Sequence, residues 1–194
     1  MGEKSIQKKE YIVDKARDVF ARKGFRAVTM KDVVEECDIS RGGLYLYFNS
    51  TRELFEAVLE KEADKQDETV TQELKEAKTA SDVMAVFLKE QKKELLRKKD
   101  SLAIATYEFY FESQGPKKDN RIKKQFDDEV KVLEYTIKGG VENGEFNADD
   151  PKAMARSIAM VLEGMRITAC SMGITEEMIN SQFLMIMKNL IKEG

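Results

Sequence analysis

A short stretch of the chain combines an arginine, two glycines and two tyrosines in a way that suits contact with a nucleic acid. Arg41 is followed directly by Gly42 and Gly43, with Tyr45 and Tyr47 close behind. A guanidinium can donate two hydrogen bonds at once to O6 and N7 of guanine, and phenol hydroxyls can donate to phosphate oxygens. Because each glycine costs about 1 kcal/mol relative to alanine inside a helix, the pair favours close backbone approach to a partner.

The chain offers little for catalysis or metal binding. It contains no histidine, and its two cysteines, Cys37 and Cys170, lack the spacing of a metal site. It has no glycine loop typical of nucleotide binding, and its acidic pairs are indistinguishable from helix surface charges. We therefore expect no enzyme activity, no cofactor and no metal, and we expect both cysteines to be small buried residues.

Composition and charge favour an all-α protein with any nucleic-acid contact near its N-terminus. The chain has only 2 prolines and 36% charged residues, which suits amphipathic helices. Its net charge is −3, yet residues 1–50 hold 10 Lys and Arg against 8 Asp and Glu. No signal peptide and no apolar run of membrane-spanning length is present, so we expect a cytoplasmic protein with no membrane partner.

Apolar spacing and capping residues divide the chain into about nine helices. Gly24 ends the first helix, and Thr29 opens a short second one through a capping box. Asp38 tolerates the left-handed conformation of a tight connection, after which Ser40 caps a third helix that reaches residue 48. Two short helices that share an apolar face across so tight a turn predict a helix-turn-helix.

The third helix would enter the major groove with Arg41 in its first turn, where recognition helices meet the bases. Tyr45 and Tyr47 are predicted to point away from the apolar face and to reach phosphates. Thr29 begins the second helix, where a hydroxyl and helix-terminal amides suit another phosphate. Lys31 and Arg52 flank these positions.

The residues of this segment resemble the TetR family of bacterial transcriptional repressors over about residues 8–60. The matching positions are Phe25, Thr29, Val33, Ile39, Ser40, Gly42, Leu44, Tyr45, Phe48, Glu53 and Leu54. Beyond residue 60 the resemblance rests on helix number and length. It implies three DNA-binding helices, a fourth helix linking them to a ligand-binding core, and a dimeric four-helix bundle formed by the last two long helices.

The resemblance also implies particular roles for individual residues. Base edges would be met by Arg41, Gly42, Gly43 and Leu46, and phosphates would be held by Thr29, Ser40, Tyr45 and Tyr47. Three positions depart from the family pattern: Asp38 stands where glycine is usual, Tyr47 where histidine is frequent, and Thr51 where a phosphate-contacting lysine is usual. Arg52 can compensate for the last of these one position later.

We therefore expect a helix-turn-helix DNA-binding domain in residues 1–50, a linking helix at about 51–78, and a ligand-binding and dimerisation domain in 79–194. Helices at about 151–172 and 176–191 contain seven of the ten methionines. Because apolar residues lie on more than one of their faces, these helices favour an isologous homodimer. The expected function is that of a repressor released from a palindromic operator on double-stranded DNA by a small-molecule effector.

Aromatic residues in the C-terminal part suggest a pocket for that effector. Glu108 and Glu112 lie one turn apart and would favour a cationic or amphipathic ligand. The expected pocket residues are Phe87, Tyr107, Glu108, Tyr110, Phe111, Phe126 and Met165. Three alternatives stay open: the aromatic residues only fill the core, the regulator has no small-molecule ligand, or the chain is a helical adaptor that binds protein.

Overall fold

The computed structural model describes residues 3–97, 101–112 and 121–191. Within these ranges the backbone forms nine helices, and the only β pairing is an isolated bridge between Phe146 and Ile191. The helices are α1 (Glu3–Lys23), α2 (Met30–Cys37), α3 (Arg41–Tyr45), α4 (Thr51–Leu74), α5 (Ala80–Leu95), α6 (Ala103–Glu112), α7 (Arg121–Glu142), α8 (Pro151–Ser171) and α9 (Glu176–Leu190). The predicted all-α fold with about nine helices is confirmed. The break predicted at Gly115–Pro116 lies outside the described residues.

The chain divides into two compact units, and the first of them is discontinuous in sequence. It comprises Met1–Thr69 and Lys99–Gln114, and the second unit comprises Val70–Lys98 and Gly115–Gly194. Helix α6 thus belongs with α1 to α3, although the sequence pattern placed it in a domain of residues 79–194. None of the helices in the described ranges is both long and apolar enough to cross a membrane.

Aromatic rings hold α6 in the first unit. Phe109 of α6 packs edge-on against Phe25, with ring centroids 4.9 Å apart, and contacts Phe55 of α4 at 5.3 Å. Phe20 of α1 joins the cluster at 4.6 Å from Phe55. All four rings are buried, and each such pair is worth about 0.5–1.5 kcal/mol beyond the area it buries. Helix α6 therefore completes the core over which α1 to α4 fold.

A carboxylate of α6 also fixes the turn that follows α1. Gly24 ends α1 in the left-handed conformation, with φ at 77°. The next two backbone amides, those of Phe25 and Arg26, donate to Oε2 of Glu108 over 2.7 and 3.0 Å. Amides outside a helix need a partner from elsewhere, and Glu108 supplies one. A Cβ at Gly24 would lie 2.6 Å from that same oxygen, so a larger residue would push the Glu108 carboxylate out of this position.

The second unit contains a charged cluster inside its helical packing. Arg166 of α8 donates to both carboxylate oxygens of Glu129 on α7, over 2.7 and 3.2 Å, and to Gln91 Oε1 on α5 over 2.6 Å. Glu163, one turn earlier on α8, accepts a further bond of 3.2 Å. Burial acts to lower the pKa of Arg166, but bonds and charges from Glu129 and Glu163 outweigh it and raise the pKa. The guanidinium therefore stays charged and joins three helices.

Two adjacent glycines near the end of α7 have opposite surroundings. A Cβ at Gly140 would overlap the ring of Phe146, whereas one at Gly139 would meet no described atom within 4 Å. Phe146 is only 3% exposed, and its amide donates to the Gly140 carbonyl over 3.0 Å. The ring therefore has little freedom to move away.

We expect Gly140→Ala to destabilise the second unit by about 1–3 kcal/mol, the usual cost of overpacking a core. Gly139→Ala should instead stabilise it by about 0.5–1 kcal/mol, because alanine is the better helix former. Urea unfolding followed by circular dichroism compares the two variants. Equal midpoints for both would show that Phe146 does not confine position 140.

Candidate nucleic-acid interface

Helix α2 is anchored at its start by a complete capping box. The backbone amide of Asp32 donates to Thr29 Oγ1 over 3.3 Å, and the Thr29 amide and hydroxyl each donate to Asp32 Oδ2 over 2.8 Å. A hydrogen bond from Lys23, followed by those from Thr29, lowers the pKa of Asp32 from 3.8 to about 2. The predicted box is confirmed. Because the Thr29 hydroxyl already donates to Asp32, the backbone amides at the start of α2 are better placed than that hydroxyl to meet a phosphate.

The turn between α2 and α3 takes the conformation that the sequence predicts. Asp38 has φ 50° and ψ 51°, and it is the only non-glycine residue with positive φ in the described ranges. The amide of Ile39 donates to the Val34 carbonyl over 3.3 Å, which closes the end of α2. Ser40 then caps α3, its hydroxyl oxygen accepting from the Gly43 amide over 3.1 Å. These local bonds set the direction in which α3 leaves the turn.

Helix α3 is shorter than expected. It ends at Tyr45, and the amides of Tyr47 and Phe48 both donate to the Leu44 carbonyl, over 3.0 and 3.1 Å. The predicted continuation to residue 48 is therefore wrong by about one turn. Tyr47, three residues after the buried Leu44, is half-buried and packs against the core, so the prediction that its side chain points away from the apolar face is not met in full.

The outer face of α3 is exposed, while its inner face is fixed. Leu44 and Phe48 are buried, whereas Leu46 is 82% exposed and Tyr45 is 39% exposed. The Arg41 guanidinium carbon lies 5.5 Å from the centre of the Tyr45 ring, so these two side chains lie together on the exposed face. A cation over an aromatic ring is held without losing its hydrogen-bond donors. This face can therefore offer a fork of N–H groups and a phenol hydroxyl to the same partner.

Gly42 has no intramolecular reason to be glycine. It is exposed, and a Cβ there would meet no described atom within 4 Å. At Gly43 a Cβ would lie 3.2 Å from the Ser40 hydroxyl oxygen, which caps the helix. The open space outside Gly42 is consequently available to a partner that approaches the backbone closely.

Two further expected contacts begin their helices. Lys31, in the first turn of α2, is exposed and lies 3.6 Å from Glu35. Arg52, in the first turn of α4, has its guanidinium carbon 4.8 Å from the centre of the Phe109 ring. The structure thus brings all ten expected DNA-contact residues onto α2, α3, the following turn and the start of α4 in one unit.

The expected effector-binding residues fall into two groups. Tyr107, Glu108, Tyr110 and Phe111 lie on α6 in the first unit, where Glu108 is occupied by two backbone amides. The remaining three, Phe87, Phe126 and Met165, lie in or against the core of the second unit.

The Arg166 cluster and the bonds accepted by Glu108 were not predicted from the sequence. Only the spacing of Glu163 and Arg166, three residues apart on one helix face, was a local signal for the first. Glu108 lies 83 residues from Phe25, and no local pattern joins them.

A helix-turn-helix with an exposed third helix, followed by a separate helical unit, defines the class of helical DNA-binding regulators. Residues 12–58 match the family model of bacterial regulatory proteins of the tetR family. Residues 83–180 match the model of the tetracyclin repressor-like C-terminal domain. The chain belongs to the TetR family and is a DNA-binding transcriptional regulator.

Individual relatives agree with this assignment. The HTH-type transcriptional regulator YfiR of Bacillus subtilis is 32% identical over 143 residues, which cover 73% of this chain and 69% of YfiR. QacR of Staphylococcus aureus is 24% identical over 159 residues, 81% of this chain and 83% of QacR. The solved structure of a transcriptional regulator from Saccharomonospora viridis in complex with choline superposes with a TM-score of 0.83, at 18% identity, over 95% of this chain and 98% of that one. Because the sequence identity to this last structure is only 18%, the similarity shows the shared fold alone.

Proposed function

We propose that a homodimer of this chain represses transcription by binding a palindromic operator, from which a small molecule bound by the protein releases it. The observation that carries the proposal is the exposed face of α3, with Arg41 beside Tyr45 and open space outside Gly42. A recognition helix anchored by Leu44 and Phe48 can present that face to a major groove. Two such helices in a symmetric dimer would meet successive grooves about 34–36 Å apart.

Individual side chains would divide the task. Arg41 would bind a guanine through its two parallel N–H groups, and the exposed Leu46 would contact a thymine methyl group. The amides at the start of α2 near Thr29, together with Lys31, Ser40, Tyr45, Tyr47 and Arg52, would hold phosphates and fix the register. Gly42 and Gly43 would let the backbone of α3 approach the base edges.

Selection of bound sequences from a random duplex pool tests the proposal. We expect a two-fold symmetric motif for the natural protein. Arg41→Ala should weaken binding by about 1–3 kcal/mol and relax the preference at one base pair in each half-site. An equal loss on every sequence would make Arg41 a phosphate contact. The absence of any selected motif, with a flat dependence on salt, would favour the adaptor function instead.

Gly42→Ala separates the stability of α3 from its contact with DNA. The added methyl group should leave the fold unchanged or stabilise it by up to about 1 kcal/mol, because alanine favours the helix. If a base edge occupies the space outside Gly42, operator affinity should fall by about tenfold or more, since a closely packed interface does not admit an extra methyl. Thermal unfolding and fluorescence anisotropy measure the two effects. Gly139→Ala, at an open position on α7, is the matched control and should leave operator affinity unchanged.

The dimer would form through α8 and α9. On α8 the exposed residues include Met160, Val161 and Ile167, and on α9 they include Leu184 and Met185. A Cβ at Gly164 of α8 would meet no described atom within 4 Å. Two consecutive helices with apolar exposed residues are the elements from which a symmetric four-helix bundle can be built.

The effector is proposed to be a cationic or amphipathic molecule. Phe87 and Phe126 pack half-buried against the core of the second unit, to which Met165 belongs. The acidic side chains of the Arg166 cluster exceed its single guanidinium. The Saccharomonospora viridis regulator was solved with choline, a quaternary ammonium ion. Choline is therefore a first probe. A panel of such cations that neither raises the melting temperature nor releases the operator would contradict a cationic effector.

A further inference from the structure

Several basic side chains of the first unit are engaged in ion pairs. Arg17, Arg22, Lys23, Lys31 and Lys61 each lie within 4.0 Å of a carboxylate. Four lysines of α1, between positions 4 and 15, do not: for the part of the chain that the structure describes, Lys4, Lys8, Lys9 and Lys15 have no carboxylate at that distance. We call these four residues the α1 lysines.

Two contacts place this part of α1 beside the helix-turn-helix. The Lys9 ammonium nitrogen lies 5.5 Å from the centre of the Phe48 ring, and Phe48 follows α3 by three residues. The Tyr11 hydroxyl donates to the Cys37 carbonyl at the end of α2 over 3.3 Å. The α1 lysines therefore border the same turn and helix that present Arg41.

The charges that act on Cys37 also place Lys8 and Lys15 near the end of α2. Burial raises the pKa of the Cys37 thiol, and the negative charge of Glu36 adds to the rise, while Lys15 and Lys8 act in the opposite direction. Both ammonium groups are thus close enough to influence the end of α2. Glu3 and Glu10 lie on the same stretch, and Asp14 pairs with Lys61 over 2.8 Å. The four lysines outnumber the remaining carboxylates, so the stretch is positive.

We propose that Lys8 and Lys9, flanked by Lys4 and Lys15, form a second DNA contact that binds phosphates next to the base pairs read by α3. This inference rests on the proposed operator binding. An ammonium on a flexible stem is a point charge that suits a phosphate without reading sequence. Each phosphate that it neutralises releases condensed counterions. The contact therefore adds affinity and salt dependence, and it leaves the choice of base pairs to α3.

The test compares Lys8→Gln/Lys9→Gln with the natural protein on the selected operator and on random duplex over a range of salt concentrations. We expect the slope of log affinity against log salt to become shallower by about 0.9 for each phosphate that is no longer neutralised. Affinity at low salt should fall by about tenfold or more on both duplexes, by a similar factor, because phosphates are common to both. The selected motif should stay the same.

Two controls keep the outcome interpretable. Lys124→Gln/Lys152→Gln removes the same charge from exposed positions in the second unit and should leave the slope unchanged. Lys8→Arg/Lys9→Arg keeps the charge and should retain the slope of the natural protein. Thermal unfolding verifies that all variants fold.

An unchanged slope for Lys8→Gln/Lys9→Gln, or an equal change in the second-unit control, would overturn the inference while operator binding stands. A natural protein that selects no motif would instead overturn the proposed function. Retained DNA affinity together with abolished binding to anionic vesicles would assign the α1 lysines to a membrane surface and refute the DNA contact.

Discussion

Gly164→Arg is expected to sediment as a monomer at micromolar concentration. It should also bind the operator at least about 100-fold more weakly than the natural protein, because two linked binding sites bind about 100- to 10,000-fold more tightly than one. Within the subunit we expect the change to be tolerated, because position 164 is exposed and a Cβ there meets no described atom within 4 Å. In a bundle of α8 and α9 the same position would lie between helices, where an arginine must either block their approach or lose its hydration.

Gly139→Arg is the matched control for this prediction. Gly139 also lies in a helix with open space around its Cβ, but on α7, outside the proposed interface. That variant should remain dimeric and keep its operator affinity. If Gly164→Arg sediments as a dimer, the proposed interface does not include this face of α8.

Arg166→Met is expected to destabilise the second unit by about 3–5 kcal/mol, the range seen when one partner of a buried ion pair is removed. The Arg166 side chain is 18% exposed and that of Glu129 is 8% exposed. Without the guanidinium, the Glu129 carboxylate would remain in this environment without the two hydrogen bonds it now accepts from Arg166. The loss of stability comes mainly from the Glu129 carboxylate left without its guanidinium partner. Denaturant unfolding at neutral pH measures this loss.

Two comparisons test that explanation. Arg166→Met combined with Glu129→Leu should recover much of the stability, because a buried ion pair can be replaced by apolar residues at little net cost. Lys138→Met removes the partner of Glu142 from an exposed pair 4.0 Å apart, and it should change the free energy of unfolding by no more than about 1 kcal/mol. If Arg166→Met has as small an effect as this surface substitution, the cluster contributes little to stability.

The sequence predicted those features that short-range hydrogen bonds determine. The capping box at Thr29, the left-handed Asp38 and the cap at Ser40 each involve residues no more than five positions apart. Features of this kind can be predicted from the sequence because the residue types themselves select the backbone conformation. The all-α fold and the helix-turn-helix followed from the same signals.

Features that depend on distant partners were not predictable in this way. Glu108 reaches Phe25 across 83 positions, and Arg166 reaches Gln91 across 75. Aromatic and acidic residues on α6 have the same composition whether they line a pocket or complete a core, so their place in the first unit required the structure. The length of α3 was overestimated because no glycine or proline marks its end.

The dependence of the first unit on Phe109 and Glu108 has a consequence for how this protein can be dissected. A fragment that stops after α4 would leave the rings of Phe25 and Phe55 without their cover and the amides that follow Gly24 without their acceptor. The DNA-binding unit therefore cannot be transferred as α1 to α4 alone. A chimeric protein that uses it must also include the segment up to Glu112. During translation, that module stays unfinished until α6 has left the ribosome.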